Sequence, residues 1–170
     1  CVHFAFSGEW SEVPKTKVPE LSVKEISVCK IGGRIIAEQT VVSPDSRHLA
    51  YVVFRGLSKA VVLIDSQAGN SYENIETPIF SPDSKHVAYI AQSNGKLLVV
   101  LDWAEGNPYD AIGAGSLLFS PDSKRLAYVA ESESKTVVVV DGVEGKPYQG
   151  MAVGSPMFSP NSERVAYAAK

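Results

Sequence analysis

Four segments of this 170-residue chain, Ser43-Pro-Asp-Ser46, Ser81-Pro-Asp-Ser84, Ser120-Pro-Asp-Ser123 and Ser159-Pro-Asn-Ser162, set a hydroxyl beside a carboxylate or an amide. A nucleophilic serine needs a base within hydrogen-bond reach, usually a histidine that is itself held in orientation. The chain has three histidines, His3, His48 and His86, and the last two occupy a slot that holds Arg125 and Arg164 in the other copies. A slot that accepts either side chain asks for polarity or positive charge rather than for a base. No catalytic residue is therefore assigned, and the chain is not read as an enzyme. The segments read instead as turns in which proline fixes φ and the Asp or Asn side chain caps backbone N–H groups.

Asp65, Asp102 and Asp141 invite a second chemistry, since carboxylates converging on one axis would suit a hard cation. Each closes an apolar run, however, and at the ends of outward-lying strands they read as exposed carboxylates. Neither a metal nor a cofactor is expected. Glu73, Glu105, Asp110 and Glu144 lack ligand-like spacing and read as solvated. Trp10, Trp103 and Arg55 fall outside any recurring pattern, which makes them the candidate partner contacts. Cys1 and Cys29 are too few for a disulfide framework and lack the paired spacing of a zinc site, and a single bridge between them stays open. A start on Cys fits either a mature bacterial lipoprotein lipidated at Cys1 or a boundary made by processing or excision.

The elements that hold these residues are repeats. Ser43, Ser81, Ser120 and Ser159 are spaced 38, 39 and 39 residues apart. Each copy continues into an apolar-Ala-Tyr step: Leu49-Ala50-Tyr51, Val87-Ala88-Tyr89, Leu126-Ala127-Tyr128 and Val165-Ala166-Tyr167. A lysine then opens an apolar run that closes on aspartate, from Lys59 to Asp65, Lys96 to Asp102 and Lys135 to Asp141. Gly69-Asn-Ser-Tyr72, Gly106-Asn-Pro-Tyr109 and Gly145-Lys-Pro-Tyr148 lead on to the next copy. Strand-length apolar runs between Gly, Pro, Ser and Asp leave no room for a helix. Each copy reads as a four-stranded antiparallel meander whose fourth strand lies around Tyr109–Ile112. In its second strand the Leu/Val and Tyr residues share one bulky face and alanine marks the flat one, because side chains alternate. Such sheets pack on copies of themselves, which explains a third strand that is apolar throughout.

The Phe-Ser-Pro-Asp-x-Lys-x-apolar-Ala-Tyr signature, followed by an apolar strand ending in Asp, resembles the TolB-type, WD-like β-propeller repeats of bacterial extracytoplasmic proteins, over residues 40–170. The resemblance implies an all-β propeller of about four repeats of 38 to 39 residues, each a four-stranded antiparallel blade. That family usually has Gly at the fourth turn position, where this chain has Ser46, Ser84, Ser123 and Ser162; serine four times over is expected to keep φ negative there. Residues 1–39 are read as N-terminal strands and an arm. Val23–Ile31 and Arg34–Glu38, joined by Gly32-Gly33, are candidates to pair beside Val165–Ala169 and complete the last blade. The competing reading is a piece of a longer propeller that completes itself by self-association.

Sixteen basic against nineteen acidic side chains give a net charge of −3, which lacks the electrostatic footprint of a nucleic-acid binder. No apolar stretch approaches the roughly 18 residues of a membrane span. The resemblance implies a non-enzymatic scaffold that binds a protein or peptide outside the cytoplasm, in the periplasm or at the cell surface. A non-catalytic propeller segment of a larger enzyme and a self-assembling repeat element are the other two readings.

Overall fold

The computed structural model describes residues 34–55, 59–151 and 156–170, the first five through their backbone alone. They lie in the second of two compact units, Gly33–Lys170. Cys1, Trp10, Cys29 and the Val23–Ile31 candidate lie outside the described residues. Strands and turns alternate throughout the described chain, and none of it is helical.

The first sheet runs β1 (Arg34–Val42), β2 (Leu49–Arg55), β3 (Lys59–Ile64), β4 (Gln67–Tyr72), in that spatial order and antiparallel. The second holds β5 (Asn74–Ile75), β6 (Ile79–Phe80), β7 (Val87–Ser93), β8 (Lys96–Leu101) and β9 (Ala104–Glu105). The third repeats it with β10 (Ala111–Ile112), β11 (Leu118–Phe119), β12 (Leu126–Ser132), β13 (Lys135–Val140) and β14 (Val143–Glu144). The last pair is β15 (Met157–Phe158) with β16 (Val165–Ala166).

Two expectations need correction. The first strand of the second and third sheets is broken in two, β5 and β6 both lying on β7, and β10 and β11 both on β12. Pro78 removes a ladder donor at the break in the second sheet. In the third, the Ser116 hydroxyl accepts the Val129 N–H at 3.0 Å in place of a backbone carbonyl. The stretch Tyr109–Ile112, expected as one fourth strand, belongs to two sheets. Tyr109 exchanges both backbone bonds with Leu97 of β8, whereas Ala111 and Ile112 pair with Glu131 and Ala130 of the next sheet. The chain crosses between sheets at Asp110, and β9 is the strand that follows β8. Side-chain alternation is silent about which neighbour receives the backbone bonds.

The Arg34–Glu38 candidate also has a different place. It is the start of β1 and pairs with β2, Arg34 opposite Phe54 and Ile35 opposite Val53, rather than lying beside Val165–Ala169. β1 therefore runs across the boundary drawn at residues 39 and 40.

Sheets pack bulky face on flat face. Val52, Ala60 and Val62 of the first sheet meet Val87, Tyr89, Ala91, Leu98 and Val100 of the second, and Ala88, Ile90 and Val99 meet Leu126, Tyr128 and Ala130 of the third. β8 and β13 are buried on both faces, Val99 at 3% and Val138 at 2% exposure, which is why their sequences do not alternate. One aromatic contact recurs at each step: Tyr72 on Tyr89, Tyr109 on Tyr128 and Tyr148 on Tyr167, edge to face at 6.2, 6.1 and 5.9 Å. The Tyr72 and Tyr109 hydroxyls donate to Glu105 and Glu144 in the following sheet at 2.7 and 2.9 Å. Burial and those acceptors push both phenols above their ordinary range. Glu105 and Glu144 are exposed, as expected, and also accept from these tyrosines.

The turn serines depart furthest from expectation. Ser46, Ser84, Ser123 and Ser162 have φ of 60, 65, 65 and 62°, the left-handed region where glycine is at ease. For three of the four the compensation comes from the neighbouring sheet. The Ser84 hydroxyl accepts the Asp45 N–H at 3.0 Å, Ser123 that of Asp83 at 2.9 Å, and Ser162 that of Asp122 at 3.0 Å. Glycine would relax the backbone and take the acceptor away from that part-buried donor. Ser123→Ala keeps the strain and loses the bond, so it should cost about 2 kcal/mol, against about 1 kcal/mol for Ser123→Gly. Urea unfolding of both variants checks the order, and equal stabilities would remove the inter-sheet role of the hydroxyl.

Candidate functional site

The turns between the first and second strands of each repeat emerge at one end of the sheets, beside the turns that follow the third strands. Within each Ser-Pro-Asp turn the serine hydroxyl donates to the aspartate two residues on, Ser43 to Asp45 and Ser81 to Asp83 at 2.6 Å each. The same oxygen accepts the N–H five residues on, from His48 and His86. These bonds hold the Asp45, Asp83 and Asp122 carboxyls below the ordinary 3.8, the hydroxyls of Ser43, Ser81 and Ser120 acting first and the N–H groups of Arg47, Lys85 and Lys124 adding to them. A carboxyl lowered by folding stabilises the fold above its unfolded pKa, and that contribution is lost as pH falls through the folded value. Thermal stability should therefore decline from about pH 4 downward, and Asp83→Asn should flatten the decline. An unchanged acid profile in that variant would be the contrary result.

Asp65, Asp102 and Asp141 are engaged rather than simply exposed. Each accepts the first N–H of the paired strand, from Leu49, Val87 and Leu126, at 3.0, 3.0 and 2.9 Å. The second carboxylate oxygen meets the basic slot: His48 Nδ1 at 2.9 Å, His86 Nδ1 at 2.6 Å and Arg125 Nε at 2.8 Å. A histidine and an arginine serve alike because the slot needs a nitrogen facing the aspartate. That pairing was open to discovery from the sequence, since slot and aspartate recur 16 or 17 residues apart.

Between successive sheets this face opens into clefts. The cleft between the first and second sheets has a volume of about 1010 Å³, and that between the second and third about 360 Å³. Arg47, His48, Asp83, Lys85, Phe80 and Trp103 line the larger. Trp103 is its unusual wall. It follows Asp102 in a two-residue turn with φ of 47 and 72° at the two positions, where the next sheet has Asp141 and Gly142 at 55 and 79°. A tryptophan thus occupies a conformation that the equivalent turn fills with glycine. Its ring lies over Gly69, where an added Cβ would come within 2.4 Å of Cζ3, and packs against the core between the two sheets. Arg55 ends β2 at the opposite end from His48 and is exposed, so the structure does not bring it to the cleft. Arg47 and Lys85 had carried no signal, because polar turn residues look alike in sequence.

No family model matches the chain, and no curated protein matches it. Among solved structures it is similar to the β-propeller domain of the Trilobed protease from Pyrococcus furiosus, with a TM-score of 0.52 and 16% identity, covering 78% of this chain and 47% of that one. The fold is that of a β-propeller. TolB from Acinetobacter baumannii is similar at a TM-score of 0.46 and 16% identity, covering 86% of this chain and 40% of that one. The chain spans less than half the length of either structure. In propeller terms the sheets are blades and the clefts are inter-blade grooves. Among the described residues no helix is long and apolar enough to cross a membrane.

Proposed function

We propose that this chain is a non-enzymatic binding scaffold of the β-propeller type, which takes a protein or peptide partner into the groove between its first two described blades. Trp103 carries the reading. A bulky residue held at φ 72° where glycine would fit, on the wall of the larger of the two grooves, is strain kept at a surface position, and strain of that kind collects at binding sites. The rim is preorganised, since its carboxylates are bound to backbone N–H groups, and it offers a partner charges of both signs, Arg47 and Lys85 beside Asp45, Asp65, Asp83 and Asp102. The Ser43 and Ser81 hydroxyls commit their protons to Asp45 and Asp83, and His48 and His86 to Asp65 and Asp102, which favours binding over nucleophilic chemistry. Placement outside the cytoplasm rests on the resemblance of the repeats. Random peptides selected by phage display on the immobilised chain should bind at least about tenfold more weakly to Lys85→Glu and to Trp103→Gly. Binders indifferent to both changes would overturn the assignment. A non-catalytic propeller segment of a larger enzyme is the second reading, favoured by likeness to a propeller domain that is part of a protease.

A further inference from the structure

The two inter-blade grooves are built from equivalent repeat positions, and one substitution between them changes what they contain. Val62, Asp65 and Gly69 of the first blade correspond to Val99, Asp102 and Gly106 of the second, and Phe80, Ser84 and Tyr89 of the second to Phe119, Ser123 and Tyr128 of the third. Trp103, on the wall of the first groove, corresponds to Gly142, on the wall of the second.

The Trp103 ring shows what this architecture accepts. It lies over Gly69, where an added Cβ would come within 2.4 Å of Cζ3, 2.6 Å of Cε3 and 3.2 Å of the Tyr89 hydroxyl, and it packs on the cluster that holds Val62 and Tyr89. Gly69 and Tyr89 accordingly do not line the first groove. In the second groove the same floor is bare, and Val99, Gly106 and Tyr128 all line its volume of about 360 Å³. A Cβ at Gly106 would meet the Val99 carbonyl at 3.1 Å and the Tyr128 hydroxyl at 3.7 Å, and one at Gly142 would meet nothing within 4 Å. The first groove thus holds an indole ring on a glycine floor, and the second holds the floor without the ring.

Glu105 adds a polar preference. It stands at the position of Ala68 and lines the second groove. Its Oε1 accepts the Tyr72 hydroxyl at 2.7 Å and the Asn70 amide at 3.1 Å, which leaves Oε2 without a hydrogen bond among the described residues. A free carboxylate oxygen beside an apolar floor favours a ring that carries an N–H over one that does not.

We infer that the groove between the second and third described blades is a pocket for the side chain of a tryptophan supplied by a partner polypeptide, seated over Gly106 as Trp103 is seated over Gly69. The open space beside Gly142 gives the partner's backbone room to pass the mouth, and Glu105 Oε2 is the acceptor for the indole N–H. The pocket uses neither Trp103, Arg47 nor Lys85, so it stands apart from the reading of the first groove.

N-acetyltryptophanamide, a tryptophan flanked by two peptide groups, tests the pocket when titrated into the isotope-labelled full chain and followed by amide NMR shifts. Saturable shifts of the Gly106 and Gly142 signals are expected, with a Kd of about 1 mM for so small a probe. N-acetylphenylalaninamide should bind at least about threefold more weakly. Gly142→Trp supplies the groove with its own ring at a turn position where Trp103 is already tolerated, so circular dichroism should show it folded and binding should weaken at least about tenfold. Trp103→Gly bares Gly69 and Tyr89 and should add a second site for the same probe. Absence of shifts at Gly106 and Gly142, equal binding of the two amides, or a folded Gly142→Trp chain that binds like the parent would overturn the proposal. Binding of free indole without binding of the amide would overturn the assignment to a polypeptide.

Discussion

Tyr89→Ala should lower the free energy of unfolding by about 3–5 kcal/mol, a large share of the roughly 5–15 kcal/mol available to a domain of this size. Tyr89 is 1% exposed, packs edge to face on Tyr72, and fills the interface between Val52 and Val62 of one blade and Leu98 and Val100 of its own. Its phenol is pushed up to about 12 by burial. Truncation removes the ring's contacts and leaves a void that blades stiffened by ladders on both sides cannot close. The chain contains its own control. Tyr167 holds the same repeat position and makes the same edge contact with Tyr148, yet is 38% exposed, so Tyr167→Ala should cost only about 1 kcal/mol. Urea unfolding of the two variants measures the difference that full burial of the ring makes. Comparable costs would mean that the inter-blade contact, rather than full burial, carries the stability.

The second large effect falls on Trp103. Trp103→Ala should cost about 2 kcal/mol, less than for a fully buried tryptophan because part of the ring faces the groove. Trp103→Gly loses the same ring contacts with Gly69 and the core but relaxes a residue at φ 72°, so it should be more stable than the alanine variant by about 1 kcal/mol. Thermal unfolding of the pair separates the packing of the ring from the strain of the turn. A glycine variant as stable as the parent chain would mean that ring packing contributes nothing net and that the tryptophan is kept for what it presents to the groove.

Much of the architecture was legible in residue order. The strands β2, β7 and β12, their bulky and flat faces and the doubly buried third strand follow from side-chain alternation and from turn residues a few positions away. The candidate site was less legible. Trp103 stood out as a residue breaking the repeat, and the structure seats it on the groove wall, whereas Arg55, which stood out on the same ground, lies at the far end of its strand. Breaking a pattern signals that a position is special and is silent about where the strand directs it. The histidine and arginine slot was visible, but its purpose needed the register of the β2–β3 hairpin and its copies, which places an aspartate against it.

The sequence by itself determined the period, the strand content, the faces and the existence of turns, because these depend on neighbours within one repeat. Tertiary structure alone decided three things. It split Tyr109–Ile112 between two blades, assigned Arg34–Glu38 to β2, and held the turn serines at positive φ. The physical reason is common to all three. Each turns on which backbone donor finds which acceptor. For Ser84, Ser123 and Ser162 that partner lies 39 or 40 residues away on the adjoining blade, and a residue's own preference is outweighed when a part-buried N–H would otherwise lose its acceptor.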